Sequence, residues 1–319
     1  MRRTVWIAAL LILAIAKPAL AGDEYDFVLT GRSNPYWEAM AEGIKETAQA
    51  RKIDAIVYEA ANERDAEGEL NICLAAISRK PKVIVMSSIN PSIGIECFKQ
   101  ASAAGILVAD VDGNLPVAVA AKAGIKLAFS IGSDNLEIGR EAAKYTGTIA
   151  GKPDPKILIL EGTAGSLNGE RRVEGFRAEI QTLMPGAVIA ASISAEFDRL
   201  KGLNVTADLL QRTPDVDIIY AANDEMALGA AEAVRNVGKS SHIRIVGIDG
   251  TIAARKAIGE GRLTATVAQL PYLMGKRAVE MAVDAANGGK TGLTEITPVP
   301  VLDAAMLKAG TDPLLKYVR

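Results

Sequence analysis

Polar side chains recur at the ends of short apolar runs in this sequence, such as "KVIVM", "ILVADV", "IRIVGI" and "TATVA". The residues that follow these runs directly or one loop later include Asn34, Ser87, Asp112, Gly113, Arg172, Asn223, Asp249 and Gln269. Amides and hydroxyls donate and accept hydrogen bonds, carboxylates accept them, and an arginine donates through a rigid fork. Each residue alone is more typical of a turn or a cap than of a ligand-binding site. As a set, they favour binding of a ligand covered with hydroxyl groups.

Aromatic residues accompany this polar set. Tyr36 and Trp37 stand side by side in "RSNPYW", in a chain that is only 4% aromatic, and Phe197 follows a later apolar run in "SISAEFDRLKG". Rigid rings suit the C–H faces of a sugar. The alternative is an ordinary helix, capped by Asn34 and begun by Pro35, whose rings pack inward. We expect the rings to form the floor of a pocket for a sugar or polyol.

Hydrolytic chemistry would require other residues. A glycosidase or nucleosidase uses a carboxylate pair or a His beside a nucleophile. Asp112 and Asp249 could face each other, but the only histidine, His242, precedes "IRIVGI" at the end opposite these residues. The sequence has no "GxSxG", "HExxH" or "GxGxxG" motif and no "DxDxDG" loop. We therefore expect a binding protein without a cofactor or a metal, and keep an exported carbohydrate-active enzyme as the alternative.

The elements that must position these residues follow from the hydrophobic pattern. Amphipathic stretches alternate with ten β-branched, apolar runs: "YDFVLTG", "DAIVYEA", "KVIVMSS", "ILVADVD", "LAFSIGS", "KILILEG", "VIAASIS", "DIIYAAN", "IRIVGID" and "TATVAQL". Short apolar strands separated by helices predict parallel sheets covered on both faces, which is an α/β fold. The series runs twice, from about residue 25 to 130 and from about 156 to 270, so we expect two doubly wound lobes. Ligands of such sheets bind beyond the carboxyl ends of the strands.

Residues 1–21 have the pattern of a secretory signal peptide. Arg2 and Arg3 precede the apolar run "VWIAALLILAIA", and "ALA" provides a small-residue cleavage site. A retained membrane anchor is disfavoured because a span needs about 20 apolar residues. No Cys follows the site, so we expect no lipid anchor. These features predict a periplasmic protein.

The charge balance excludes one class of partner. Removal of Arg2, Arg3 and Lys17 from the 36 basic residues leaves 33 against 38 acidic ones, a net charge of −5. No basic cluster stands out along the chain. We therefore expect no binding to nucleic acid or to a membrane surface.

The only two cysteines, Cys73 and Cys97, lie in successive predicted helices. Export makes a disulfide possible. Two buried free thiols are an equal alternative, because a bridge needs α-carbons within about 7 Å of each other and the sequence does not supply that distance.

From residue 25 to about 300 the chain resembles the periplasmic sugar-binding proteins of the ribose-binding type, which serve ABC importers. The resemblance is carried by the blocks "AEFDRLKGLNV", "ANDEMALGA", "VGIDGT" and "ATVAQLP". It implies a type I periplasmic binding protein with three hinge segments, near residues 130–132, 269–270 and 298–299. The N-terminal lobe would then comprise 22–130 plus 270–298, and the C-terminal lobe 131–269 plus 299–319. Repressors of the lactose type share this sensor fold, but carry a helix-turn-helix where this chain has its leader.

The resemblance also implies a role for each matched residue. Asn34 would donate a hydrogen bond, Tyr36 and Trp37 would stack on the sugar, and Phe197 would face them from the other lobe. Arg172 would grip two ligand oxygens. The remaining ligand positions match Asp112, Asn223, Asp249 and Gln269.

Two positions depart from the ribose-type pattern. Gly113 stands where the family has an Arg, and Ser87 stands where it has an Asn. The loss of the Arg removes a bidentate partner for sugar oxygens. We therefore expect a larger or differently shaped sugar than ribopyranose, or an open-chain polyol.

The implied mechanism is closure of the two lobes around the solute. The ligand would complete a hydrogen-bond network whose buried groups cost about 1–3 kcal/mol each when unpaired. The closed form would deliver the solute to an ABC permease and its ATPase, with a chemoreceptor as a further candidate partner. We expect the receptor to be a monomer.

Overall fold

The computed structural model describes residues 24–318, so the predicted signal peptide lies outside the described residues. Within them, strands and helices alternate as the hydrophobic pattern predicts. The strands are β1 (Glu24–Leu29), β2 (Asp54–Glu59), β3 (Val83–Met86), β4 (Leu107–Val111), β5 (Phe129–Ser133), β6 (Lys156–Glu161), β7 (Val188–Ser194), β8 (Ile218–Ala221), β9 (Arg244–Asp249), β10 (Ala265–Ala268), β11 (Leu293–Thr297) and β12 (Val301–Asp303). All ten predicted strands are present, as β1 to β10.

Helices follow most of the strands. They are α1 (Pro35–Arg51), α2 (Ala66–Arg79), α3 (Pro91–Ala103), α4 (Val117–Lys122), α5 (Asn135–Ile149), α6 (Leu167–Leu183), α7 (Arg199–Arg212), α8 (Asp224–Asn236), α9 (Ile252–Gly259), α10 (Pro271–Ala286) and α11 (Ala304–Ala309), with a 3-10 helix at Pro313–Tyr317. Among residues 24–318, no helix is both long and apolar enough to cross a membrane.

The strands form two six-stranded sheets, one in each lobe. Their orders are β11-β5-β4-β3-β1-β2 and β12-β10-β9-β8-β6-β7. The ladders are parallel except that β12 pairs antiparallel with β10. The predicted α/β fold with two doubly wound lobes is therefore confirmed. The edge strands β11 and β12 were not predicted, because they are short and only part of each is buried.

Both faces of the first sheet are covered. Helices α1 and α10 cover one face, where Met40 and Ile44 pack with Met274. Their backbones approach closely at Gly43, where an added β-carbon would lie 2.1 Å from the carbonyl oxygen of Tyr272. Helices α2 and α3 cover the other face. The close contact between α1 and α10 positions α1, and with it Tyr36 and Trp37 at its first turn.

The open question of the cysteines is answered on the second of these faces. Cys73 of α2 and Cys97 of α3 form a disulfide with an α-carbon separation of 6.0 Å. Both residues are fully buried in the cluster that contains Phe98. The bridge therefore ties two neighbouring helices of the first lobe together.

The chain crosses between the lobes three times, between β5 and α5, between β10 and α10, and between β11 and β12. The predicted boundary at residue 130 falls inside β5, which stays in the first sheet through Ser133. The carboxyl-terminal segment contacts both lobes, since Val318 packs with Ala268 and Leu302 of the second lobe, and the ring of Tyr317 stacks on Tyr272 of α10 with 6.5 Å between centroids.

Candidate functional site

The carboxyl ends of the strands of both sheets converge on one cavity between the lobes. Nine of the eleven residues predicted to bind ligand line it: Asn34, Tyr36, Trp37, Asp112, Arg172, Phe197, Asn223, Asp249 and Gln269. They are separated by up to 235 positions along the chain, so only the tertiary fold brings them together.

Ser87 and Gly113 are outside the cavity lining. The hydroxyl of Thr30 donates to the backbone oxygen of Ser87 at 2.8 Å and lies 3.2 Å from the Ser87 hydroxyl, so Ser87 is occupied within the first lobe. Gly113 has a φ of +80°, and its N–H donates to Asp110 Oδ2 at 3.1 Å. Neither residue offers a side chain to the cavity.

Asn34 and the aromatic pair lie at the start of α1. The Asn34 side-chain oxygen accepts the backbone N–H of Tyr36 at 3.0 Å, and Pro35 occupies the first helical position. Asn34 therefore caps α1, and it also lines the cavity together with Tyr36 and Trp37. The rings of Tyr36 and Trp37 meet edge to face, at 88° with 4.8 Å between centroids. Because they are perpendicular, both rings do not stack on the same face of one ligand.

The hydroxyl of Tyr36 donates to Asp112 Oδ1 at 2.5 Å. Asp112 is buried beyond the end of β4, and its φ of 75° is uncommon for a residue other than glycine. Burial raises the pKa of Asp112 to about 6, against the hydrogen bond from Tyr36 and the positive charge of Arg172, which lower it. Backbone strain of this kind is often found at binding sites.

Glu63 also lines the cavity, although the sequence did not single it out. Its Oε1 accepts Asn34 Nδ2 at 2.7 Å and Trp37 Nε1 at 2.9 Å. Glu63 lies four residues beyond the end of β2, in the loop before α2, so the rule of strand-end residues did not reach it. The polar stretch "NERD" after this strand was the only available signal.

Arg172 of α6 is the cation of the cavity, and only 5% of its surface is exposed. Its Nε donates to Asn135 Oδ1 at 2.8 Å, and its Nη1 donates to the backbone oxygen of Ala222 at 2.9 Å. Nη1 also lies 3.7 Å from Asp249 Oδ1. These contacts hold the guanidinium in one orientation.

Asp249 is the last residue of β9, and Gln269 directly follows β10. Gln269 Nε2 donates to Asp249 Oδ1 at 2.8 Å. Burial raises the pKa of Asp249 well above its usual range, and the charge of Arg172 opposes this rise. Gln269 is 1% exposed, and its Oε1 has no hydrogen-bond partner among residues 24–318. This buried acceptor is available to a ligand donor.

Phe197 enters the cavity from the loop between β7 and α7, with a left-handed φ of 57°. Gly162 makes room for its ring, because an added β-carbon there would lie 2.1 Å from Phe197 Cζ. Asn223 caps α8 through Oδ1 and donates from Nδ2 to the backbone oxygen of Phe197 at 3.2 Å. The cap and the cavity functions again coincide in one side chain.

Direct contacts join the two lobes around the cavity. Asn168 of α6, which sequence reasoning did not identify, donates to Asp112 of the first lobe, and its backbone N–H donates to Asn114 Oδ1 at 3.2 Å. At the rim, Arg64 pairs with Glu196 and Asp198 at 3.4 and 3.6 Å. The two lobes are therefore closed upon each other.

The chemistry of this cavity is that of hydrogen bonding. Of residues 24–318, three carboxylates and one cation line it: Glu63, Asp112 and Asp249 with Arg172. Within residues 24–318 no group of three His, Cys, Asp or Glu side chains could hold a metal ion. His242 is exposed before the amino end of β9, away from the cavity.

Comparison with known proteins identifies the family. The model of the periplasmic binding protein domain matches residues 25–291. The chain belongs to the periplasmic binding protein family. This periplasmic binding protein is 32% identical over 278 residues to the D-allose-binding periplasmic protein of Escherichia coli K12, a match that covers 87% of this chain and 89% of the relative. It is also 32% identical over 287 residues to the ribose import binding protein RbsB of the same strain, covering 90% and 93% of the two chains.

A solved structure agrees with these relatives. The periplasmic solute-binding protein of an ABC transporter from Actinobacillus succinogenes 130z, with bound D-allose, superposes with a TM-score of 0.84 and 31% identity. The match covers 90% of this periplasmic binding protein and 99% of the other chain. The family and these relatives are binding proteins of transporters. The expectation of a periplasmic solute-binding receptor, and not an enzyme, is therefore confirmed.

Proposed function

We propose that this receptor binds a neutral monosaccharide or polyol in the cavity between its lobes and delivers it to the permease and ATPase of an ABC importer. The observation that carries this proposal is the convergence of strand-end polar side chains and three aromatic rings from both lobes on one cavity. Hydroxyl groups match this inventory because each gives one hydrogen bond and accepts others.

The charges of the cavity support a neutral ligand. Glu63, Asp112 and Asp249 outnumber the single cation, Arg172, so a sugar acid or a sugar phosphate would add a further negative charge to a buried, carboxylate-rich site. A hydroxyl donates to a carboxylate without adding charge. The relatives named for D-allose and ribose are consistent with this class of ligand.

Closure of the lobes is the proposed transport cycle. The ligand supplies partners to buried groups such as Gln269 Oε1, which has none among residues 24–318. Since unpaired buried groups cost about 1–3 kcal/mol each, the ligand stabilises the closed form, which both lobes then present to the permease. We further propose that residues 1–21 act as a cleaved signal peptide and that the receptor is a monomer. A chemoreceptor is a second proposed partner.

Thermal unfolding in the presence of a panel of solutes tests the proposal. The panel contains D-ribose, D-allose, other pentoses and hexoses, myo-inositol and open-chain alditols, with D-glucuronate and D-glucose 6-phosphate as anionic controls. A ligand at a hundredfold excess over its Kd adds about 2.7 kcal/mol to stability. We expect a saturable shift with at least one neutral compound and none with the anionic controls. A shift with the anions alone, or turnover of a sugar, would overturn the proposal.

A further inference from the structure

Glu63 is bonded to two of the residues assigned to the ligand. It stands on the loop between β2 and α2, and its Oε1 accepts hydrogen bonds from Asn34 Nδ2 at 2.7 Å and from Trp37 Nε1 at 2.9 Å. Both donors, Asn34 Nδ2 and Trp37 Nε1, therefore share Glu63 Oε1 as their acceptor. One carboxylate oxygen therefore holds the indole of Trp37 and the amide of Asn34 in place.

The second oxygen of Glu63 is not used in this way. No residue from 24 to 318 donates a hydrogen bond to Oε2, and the side chain lines the cavity. Burial raises the pKa of Glu63, although the hydrogen bonds from Asn34 and Trp37 lower it. A further donor would offset this cost of desolvation.

The other polar residues near Glu63 are already engaged in hydrogen bonds within the protein or have no side chain. Ser87, at a position where the ribose-type pattern has an Asn, is bonded to Thr30 instead of facing the cavity. Gly113, in place of the Arg, has no side chain to offer. Among residues 24–318, the polar side chains of the first lobe that line the cavity besides Tyr36 are Thr30, Asn34, Glu63, Asp112 and Asn114. The Thr30 hydroxyl donates to the backbone oxygen of Ser87, and Asn114 Oδ1 accepts the backbone N–H of Asn168. Oxygen Oδ1 of Asn34 is occupied by its helix cap, and both oxygens of Asp112 accept protein donors.

We propose that Glu63 determines specificity by contacting the ligand, accepting a hydrogen bond from a ligand hydroxyl through Oε2, while its Oε1 positions Trp37. This inference rests on the proposed function, because it requires a hydroxylated ligand in the cavity. It makes the receptor select for a hydroxyl at one position of the sugar. An analogue that lacks this hydroxyl leaves Glu63 Oε2 without the ligand donor and binds more weakly.

Two variants separate the two functions of the carboxylate. Glu63→Gln keeps one carbonyl oxygen for Trp37 and Asn34 but replaces the other oxygen with a donor. Glu63→Ala removes both oxygens. Glu67→Gln is the matched control, since Glu67 is an exposed residue in the first turn of α2 and undergoes the same loss of charge.

Calorimetry of the exported protein with D-allose, D-ribose and their monodeoxy analogues measures the contact. With the sugar that binds the wild type, we expect Glu63→Gln to lose more than tenfold in affinity, and to lose the discrimination against one monodeoxy analogue. Glu67→Gln should retain both. The contact would be overturned if the wild type and Glu63→Gln bound the parent sugar with equal affinity and lost the same affinity for each monodeoxy analogue. The proposed function would still stand. A wild type that binds none of these sugars or the compounds of the wider panel overturns the proposed function, and the contact with it.

Fluorescence measures the positioning role without any ligand. Once residues 1–21 are removed, Trp37 is the only tryptophan, so the emission reports this side chain alone. We expect the emission of Glu63→Gln to resemble the wild type and that of Glu63→Ala to shift. Unchanged emission in Glu63→Ala would show that Oε1 does not hold the indole.

Discussion

Asn168 of the second lobe donates two hydrogen bonds to Asp112 of the first, at 2.9 Å to its backbone oxygen and at 2.7 Å to its Oδ2. The two residues are 56 positions apart, and each is buried at the cleft. The closed arrangement thus has direct bonds of its own besides those expected from a ligand. The balance between open and closed forms depends on both.

Asn168→Ala should favour the open form. The variant removes both bonds to Asp112 and leaves its Oδ2 without a donor, so closure becomes less favourable by about 1–3 kcal/mol. We expect a larger radius of gyration of the ligand-free protein in X-ray scattering and a weaker apparent affinity for the sugar identified by the panel. Scattering profiles that match the wild type would contradict the role of this contact.

Arg172→Ala should weaken sugar binding by more than tenfold. The guanidinium is held by Asn135 and Ala222 and faces Asp249, so its loss removes a proposed ligand donor and leaves a buried carboxylate without its counter-charge. We also expect a lower free energy of unfolding, by about 3 kcal/mol. Calorimetry and denaturant unfolding measure the two effects. Arg177→Ala, at a partly exposed position of the same helix outside the cavity lining, is the control and should bind as the wild type does.

Reduction of the Cys73–Cys97 bridge should lower stability without affecting binding. The bridge spans 24 positions, for which loss of the cross-link costs about 3 kcal/mol. Neither cysteine lines the cavity. We expect a lower midpoint of thermal unfolding with a phosphine reductant, and an unchanged Kd below that midpoint. In the double variant Cys73→Ala and Cys97→Ala, the reductant should have no effect. If the reductant lowered the midpoint of thermal unfolding of this double variant as well, the effect on the wild type would not come from the disulfide.

Glu69 should make stability depend on pH. It is fully buried, its Oε2 accepts the N–H of Ile89 at 2.8 Å, and its Oε1 has no partner among residues 24–318. Burial raises its pKa to about 8. Since the folded form binds this proton more tightly than the unfolded chain, its contribution is complete below about pH 4 and is lost as the pH rises towards and through 8.

Glu69→Gln removes this titration. Relative to the wild type, we expect the variant to gain about 3 kcal/mol in unfolding free energy between pH 5 and pH 9. Denaturant unfolding at both pH values measures the difference. If the difference in unfolding free energy between the wild type and Glu69→Gln were the same at pH 5 and pH 9, Glu69 would not titrate in this interval.

Gly113→Arg tests the proposal that the missing arginine alters sugar preference. A β-carbon at position 113 meets no atom within 4 Å, but the φ of +80° imposes a strain of about 1–3 kcal/mol on any other residue. We expect Gly113→Arg to have a higher affinity for D-ribose relative to ribitol. The control Gly113→Ala should lose the same stability through backbone strain but should not gain this preference. No gain for any aldose in calorimetry would contradict the proposal.

Local rules predicted much of the cavity. Asp249 and Gln269 could be found because a residue at or just beyond the carboxyl end of a parallel strand must lie at the common edge of the sheet. Asn34 illustrates a limit of such rules, because the same side chain caps a helix and lines the cavity. The two interpretations appeared as alternatives in the sequence, although they are compatible in three dimensions.

The amino-acid sequence by itself determined the α/β class, the two repeated series of strands and the strand ends whose polar residues line the cavity, because these depend on hydrophobic period and on neighbours along the chain. Only the tertiary structure decided that Cys73 meets Cys97, that Ser87 is bonded to Thr30, that Glu63 enters the cavity and that Asn168 bonds to Asp112. These facts depend on distances between residues 24 to 57 positions apart, or on the path of a loop. Such distances are set by how helices and sheets pack, and no local pattern contains them.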